Sequence, residues 1–214
     1  MIPVQYIIPA SGIAEALAAG CRWIQTDYHP DEAASWLHDC HAAGCYLVFQ
    51  DDVEAVRDAT ADGVFLSAEA IRALSESRKK PSGIVLQSPR PVSTALHVAR
   101  ETLGEDSPQL TGVWTDNADD AITAAKAGAD YVQLPAFQAL QLAREIRTAG
   151  CNIPLVARFG EACTFCTTSP TDSQHPAFTP DFVLQLLDAG INGIACTSTA
   201  LPPLSLPLLL HADE

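Results

Sequence analysis

The sequence predicts an α/β protein, a single (β/α)8 TIM barrel spanning residues 1–214, on the strength of three observations. Helix-like stretches end in a glycine five times, at Gly20, Gly44, Gly128, Gly150 and Gly190, and each glycine leads into a short β-rich run. A glycine just past a helix supplies the left-handed conformation that ends it. Gly20 and Gly44 are 24 residues apart, and Gly128 and Gly150 are 22 apart, the length of one strand plus one helix. The runs are apolar throughout rather than alternating, as in strands covered on both faces. Strands that alternate with helices build a parallel sheet, and repeats of this size in 214 residues close most simply into a ring.

In chain order the candidate strands are YIIP (6–9), WIQT (23–26), YLVFQ (46–50), GVFL (63–66), GIVLQS (83–88), GVWT (112–115), YVQLP (131–135), IPLVARF (153–159) and NGIACTS (192–198). YIIP, GVFL, GIVLQS and GVWT are each followed by an Ala- or Leu-rich helical pattern. Pro30, a favoured first helical residue, is expected to open the helix after WIQT. Nine runs compete for eight places, and YIIP and GIVLQS are the two candidates for exclusion. After the penultimate strand the segment 161–176 is expected as a loop insertion, and 201–214 as a Leu/Pro-rich tail. Neither GxGxxG nor GxxxxGK[ST] occurs, which weakens an open nucleotide-binding sheet.

A hydrophobic share of 48% suffices for one sizeable core. No run of 18 apolar residues occurs and the N-terminus has no basic region, so a cytoplasmic protein without a membrane span is expected. Seven cysteines in a chain of this length suggest reduced thiols. A net charge of −14, from 26 acids and 12 bases, argues against nucleic acid and anionic membranes as partners. A small-molecule ligand is the expected partner.

Barrel chemistry is expected at the C-terminal ends of the strands. Those ends carry Gln25, Asp27 and His29; Gln50, Asp51 and Asp52; Ser67 and Glu69; Arg90; Thr115, Asp116 and Asn117; Gln133; Arg158, Gly160 and Glu161; and Ser198. The set is polar and mostly acidic, with Arg90 and Arg158 its only bases.

Four phrases here are similar to the thiamine phosphate synthase family, which includes the thiazole tautomerases. They are "AAGCRWIQTDYH", "GCYLVFQDDVEAVRDATADGVFLSAEA", "AKAGADYVQLP" and "IPLVARFGE…FTPDFVLQLLDAGINGIACTSTAL". The resemblance implies a barrel enzyme of thiamine metabolism that joins a pyrimidine diphosphate to a thiazole phosphate with Mg²⁺. It implies a metal role for Asp51, with Glu69 beside the second metal position, which is Ala70. It also implies ligand contacts from Gln25, Gln50, the Gly160 backbone and Ser198, to which the two bases Arg90 and Arg158 are added. Where the family holds diphosphate with Arg and Lys, this chain has Asp27 and His29, and where the tautomerases place a His it has Asp116. A carboxylate about 5 Å from a phosphate charge, at an effective dielectric of about 20, costs roughly 3 kcal/mol. Divergence from diphosphate chemistry is therefore expected, towards a cationic or hydroxyl-rich ligand or a shared metal.

Several residues have two readings. Asp51 heads an Asp-x-x-Glu capping box and Asp116 heads Asp-x-x-Asp, so each is either a helix cap or a chemical group. His29 is either a helix boundary or a base or ligand beside Asp27. If Asp27, Asp51 and Glu69 converge, they either bind a cation, share a proton, or splay into solvent. Cys163, Cys166 and His175 form a metal site, a redox pair or an ordinary lid. Cys21, Cys45 and Cys151 read as small core residues. The tail, with six leucines in LPPLSLPLLL (201–210), is expected to bury itself in a homodimer. The rival to an enzyme is a non-catalytic barrel that binds a small molecule or a partner.

Overall fold

The computed structural model describes residues 4–77, 90–104, 106–159 and 180–197. Eight parallel strands close into a barrel in sequence order: β1 (Val4–Ile7), β2 (Trp23–Thr26), β3 (Tyr46–Gln50), β4 (Gly63–Leu66), β5 (Leu110–Trp114), β6 (Tyr131–Pro135), β7 (Leu155–Phe159) and β8 (Gly193–Cys196). The helices are α1 (Ile13–Ala18), α2 (Ala33–Ala42), α3 (Val53–Ala59), α4 (Ala68–Ser77), α5 (Pro91–Leu103), α6 (Ala118–Lys126), α7 (Ala136–Thr148) and α8 (Pro180–Asp188). The ring is as expected from the repeats. Its eight places include the YIIP region, paired as β1 two residues earlier than expected, because Val4 to Tyr6 pair with β8. β4 bonds directly to β5, and 83–88 lies outside the described residues, as do 161–176 and 201–214. α2 begins at Ala33 rather than Pro30, since His29 to Glu32 form a turn in which His29 O accepts the N–H groups of Glu32 and Ala33.

The helix-ending glycines behave as the sequence implies. Gly20, Gly44, Gly128, Gly150 and Gly190 all have positive φ, and the next residue returns its N–H to a carbonyl five residues back. Those bonds are Cys21 to Ala16, Cys45 to Cys40, Ala129 to Ala124, Cys151 to Ile146 and Ile191 to Leu186. This pairing satisfies orphan carbonyls and turns the chain into the next strand. Cys21 and Cys45 are buried there and Cys151 is half-buried, as core residues; all three are free thiols. α3 makes the same turn without glycine, with Thr60 at φ 56° and Ala61 N–H on Val56 O.

A second device recurs at the base of the barrel. Asp62, just before β4, accepts the N–H of Leu47 in β3 at 2.8 Å and meets His41 of α2 at 3.1 Å. Asp130, just before β6, accepts the N–H of Thr111 in β5 at 2.7 Å and is ion-paired to Arg100 of α5 at 2.7 Å. Asn192, just before β8, accepts the N–H of Leu155 in β7 at 3.0 Å and Arg147 of α7 at 2.8 Å. Each joins an N–H at the first or second residue of an odd strand to a basic side chain on a covering helix.

Inside the ring the pairing register places side chains in four layers drawn from alternate strands. From base to mouth these are Trp23, Gly63, Tyr131 and Gly193; Gln5, Val48, Gly112 and Val156; Gln25, Phe65, Gln133 and Ala195; and Ile7, Gln50, Trp114 and Arg158. Large and small residues face one another. A Cβ on Gly112 would overlap the Tyr131 ring, so only glycine lets that ring lie across the barrel, edge-on to Trp23 at 4.9 Å. A second and larger apolar core fills the space between strands and helices.

Candidate functional site: a glutamine-floored barrel mouth

The interior strand positions are not all apolar, contrary to the expectation of wholly apolar strands. Gln5, Gln25 and Gln133 are fully buried and form a hydrogen-bonded floor. Gln133 Nε2 donates to Gln5 Oε1 at 2.7 Å and to Gln25 Oε1 at 2.8 Å. Gln5 Nε2 donates to Gln25 Oε1 at 3.2 Å and to the Tyr131 hydroxyl at 3.4 Å. Gln25 Nε2 then donates upward to Gln50 Oε1 at 2.9 Å. Unmet amides would be costly at this depth, and the chain of bonds meets nearly all of them. Gln133 Oε1 is left without a partner among the described residues. At the upper end the carbonyl of Gln50 is occupied, so its amide Nε2 remains as a donor facing the mouth.

Arg158 lies in the same layer as Gln50, on the opposite strand. It is the only charged side chain in the four layers, it is half-buried, and it forms no hydrogen bond or ion pair among the described residues. Its guanidinium carbon lies 5.6 Å from the centre of the Trp114 ring. Burial pulls its pKa below the ordinary arginine value, and the charge of Asp51 opposes that shift in part.

Neither Asp51 nor Asp116 takes the helix-cap role that its spacing suggests. Asp51 does not cap α3: its Oδ1 accepts the N–H of Ser67 at 2.6 Å, and Asp52 caps the helix by accepting the N–H of Ala55 at 2.8 Å. A positive φ of 62° at Asp51 turns its side chain across to the end of β4. Nor does Asp116 cap α6, because Asn117 accepts the N–H of Asp120 at 2.8 Å, leaving Asp116 exposed. In both places the cap falls one residue later, since the strand end keeps the first polar residue. Asp27 and His29 are exposed beyond β2, and the His29 ring packs edge-on to Trp36 of α2 at 5.6 Å. Glu69 is exposed in the first turn of α4. Arg90, the N-cap residue of α5, is ion-paired to Asp119 at 2.9 Å and Asp120 at 3.1 Å in the first turn of α6. Gly160 and Ser198 lie outside the described residues, as do Cys163, Cys166 and His175.

Among the described residues no group of three or more His, Cys, Asp or Glu side chains is placed to hold a metal ion. Asp51 spends its Oδ1 on Ser67 and Glu69 stands exposed on α4, so the described residues gather no ready-made cluster for a cation. Gln5, Trp114 and Tyr131 were not singled out from the sequence. The signal that could have found them is strand alternation: each falls an even number of residues from another inward position on its strand.

One comparison ties this geometry to known proteins. Over 131 residues the chain is 30% identical to a thiamine-phosphate synthase from Methanosarcina mazei, a stretch covering 58% of this chain and 44% of that relative. The chain is a TIM barrel that is similar in sequence to a thiamine-phosphate synthase over this stretch. The match spans less than half the length of that relative. No family profile matches the chain. Among solved structures, the thiamine phosphate pyrophosphorylase from Pyrococcus furiosus superposes with a TM-score of 0.58 at 20% identity, covering 90% of this chain and 84% of that one. The glycerol uptake operon antiterminator regulatory protein from Listeria monocytogenes gives a TM-score of 0.55 at 13% identity, covering 92% and 94%. The N-acetylmannosamine-6-phosphate 2-epimerase from Clostridium perfringens gives 0.53 at 13%, covering 91% and 86%. At these identities the structures establish the fold alone, and that fold serves proteins as different as an epimerase and a regulator. Among its described residues no helix is long and apolar enough to cross a membrane.

Proposed function

We propose that this chain acts on or binds a small molecule of thiamine metabolism and has left the diphosphate chemistry of the proteins it resembles. The observation that carries the reading is the end of β2, where exposed Asp27 and His29 stand at the positions of that family's Arg and Lys. A carboxylate there repels a diphosphate, and the bidentate bonds of an arginine are lost with it. The 30% identity to a thiamine-phosphate synthase supports the pathway. Asp27, His29 and Asp116 are exposed around the mouth, where a ligand's polar groups would meet them.

Direct assay for thiamine phosphate formation from the pyrimidine diphosphate and thiazole phosphate, with and without Mg²⁺, tests the reading. The expected result is no turnover, together with a raised melting temperature in the presence of a thiamine precursor. Turnover lost in Asp51→Ala but kept in Asp27→Ala overturns it. Stabilisation by no small molecule favours a barrel that binds a partner protein. Self-association through 201–214 belongs to the same proposal, and light scattering on the chain with and without those residues tests it.

A further inference from the structure

Arg158 and Gln50 face each other across the top layer of the barrel, on β7 and β3, and each offers donors that nothing in the described protein accepts. Gln50 has its carbonyl filled by Gln25 Nε2, and Gln25 has its own carbonyl filled by Gln133 and Gln5. The bond directions in the floor therefore fix which end of Gln50 points outward, and it is the NH₂ end. Arg158 can only donate, and its fork matches a carboxylate or phosphate edge. The Trp114 ring, in the same layer, lies 5.6 Å from the guanidinium carbon. Ile7 completes the layer opposite Trp114, so the two remaining strands contribute apolar surface. A half-buried guanidinium without an acceptor is costly unless something completes it. Asp51 does not, since it makes no ion pair with Arg158 and bonds Ser67 instead.

We propose that the barrel mouth binds a compact oxyanion, the carboxylate or phosphate monoester of a small flat molecule, with its oxygens between Arg158 and Gln50. The anion-reading cation then lies on β7, inside the ring, and the exposed Asp27 above β2 leaves room for one anionic centre but repels a second. This modifies the cationic or hydroxyl-rich ligand expected from the acidic strand ends. The inference rests on the mouth being a small-molecule site, as proposed above.

Titration of the full chain with benzoate, inorganic phosphate and inorganic pyrophosphate, followed by calorimetry and tryptophan fluorescence, tests it. Benzoate or phosphate is expected to bind, and pyrophosphate no more tightly than phosphate. Tighter benzoate assigns a carboxylate ligand and tighter phosphate a monoester. Arg158→Gln is expected to weaken binding roughly ten- to hundredfold, the worth of a charged hydrogen-bonded contact, and Arg158→Lys to restore part of it. Gln50→Glu, which replaces the free donor by a carboxylate, is expected to abolish binding. Melting temperatures of each variant show that the barrel remains folded. Absence of binding by all three probes, or equal binding by Arg158→Gln, overturns the proposal. The thiamine phosphate assay reports separately: turnover there with Arg158-dependent benzoate or phosphate binding removes the reading of divergence and leaves the anion site standing.

Discussion

The carboxylate of Asp51 reaches from the end of β3 to accept the backbone N–H of Ser67 at the end of β4, at 2.6 Å. That bond holds two neighbouring strand ends together and accounts for a residue with φ 62°, a region that costs ordinary side chains roughly 1–2 kcal/mol. Asp51→Ala is expected to destabilise the chain by about 1–3 kcal/mol in urea unfolding, because Ser67 N–H loses its acceptor and the left-handed backbone loses a tolerant residue. Asp51→Asn keeps an oxygen acceptor and tolerates that backbone, so about 1 kcal/mol or less is expected. A neutral Asp51→Ala would assign this carboxylate to ligand chemistry rather than to the strand junction.

Thr60 occupies the left-handed position after α3 that glycine fills after α1, α2, α6, α7 and α8. A β-branched side chain is strained there. Thr60→Gly is expected to stabilise the protein by roughly 0.5–1 kcal/mol, the relieved strain exceeding the added freedom of the unfolded chain. A lower midpoint in Thr60→Gly would mean that the Thr60 side chain contributes packing that outweighs its backbone strain.

The barrel was legible because the glycine stops and the next strand form one local signal, visible residue by residue from Gly20 to Gly190. The site was less legible for a topological reason. Gln5, Gln25, Gln50 and Gln133 lie on four strands and up to 128 residues apart, and only closure of the ring makes them neighbours. Read singly, Gln25 and Gln50 look like strand-end contacts. The structure puts Gln25 a layer below the mouth and makes Gln50 the end of a bonded chain. Caps misled for a different reason: Asp51-x-x-Glu54 has the form of a capping box, yet the helix starts one residue later and Asp52 takes the role. The ion pairs of Arg90 were equally hidden, because no local pattern links it to Asp119 and Asp120 on α6.

Two of the ion pairs differ in what else they hold. Asp130 accepts the buried N–H of Thr111 as well as Arg100, so Asp130→Ala leaves a backbone donor and a guanidinium short of an acceptor. A loss of about 1–3 kcal/mol is expected. Asp119 pairs with Arg90 where both side chains are largely exposed, and Asp119→Ala is expected to change stability by less than about 0.5 kcal/mol. Denaturant titration of the two variants side by side decides; equal losses would show that the Thr111 bond contributes nothing beyond a surface charge.

Tyr131 gives the barrel interior an alkaline limit. Burial raises the pKa of its phenol above the ordinary 10.0, because ionisation would place a charge between Trp23, Phe65 and the glutamine floor. In the unfolded chain the same phenol ionises near 10.0. Below that pH both states hold the proton and the full stability is present. Above it the unfolded state loses the proton while the native state keeps it, so stability falls as pH rises, by up to about 1.4 kcal/mol per pH unit. Tyr6, half-buried near Cys21 and Cys196, is raised in the same direction and adds to the slope. Tyr131→Phe gives up only the long 3.4 Å bond from Gln5 and is expected to cost little at pH 7 while flattening the decline above pH 10. Tyr46→Phe, at an exposed position at the barrel base, is expected to leave that decline unchanged. Urea midpoints measured from pH 8 to pH 11 on the three proteins test this, and an undiminished slope in Tyr131→Phe would place the alkaline sensitivity outside the barrel core.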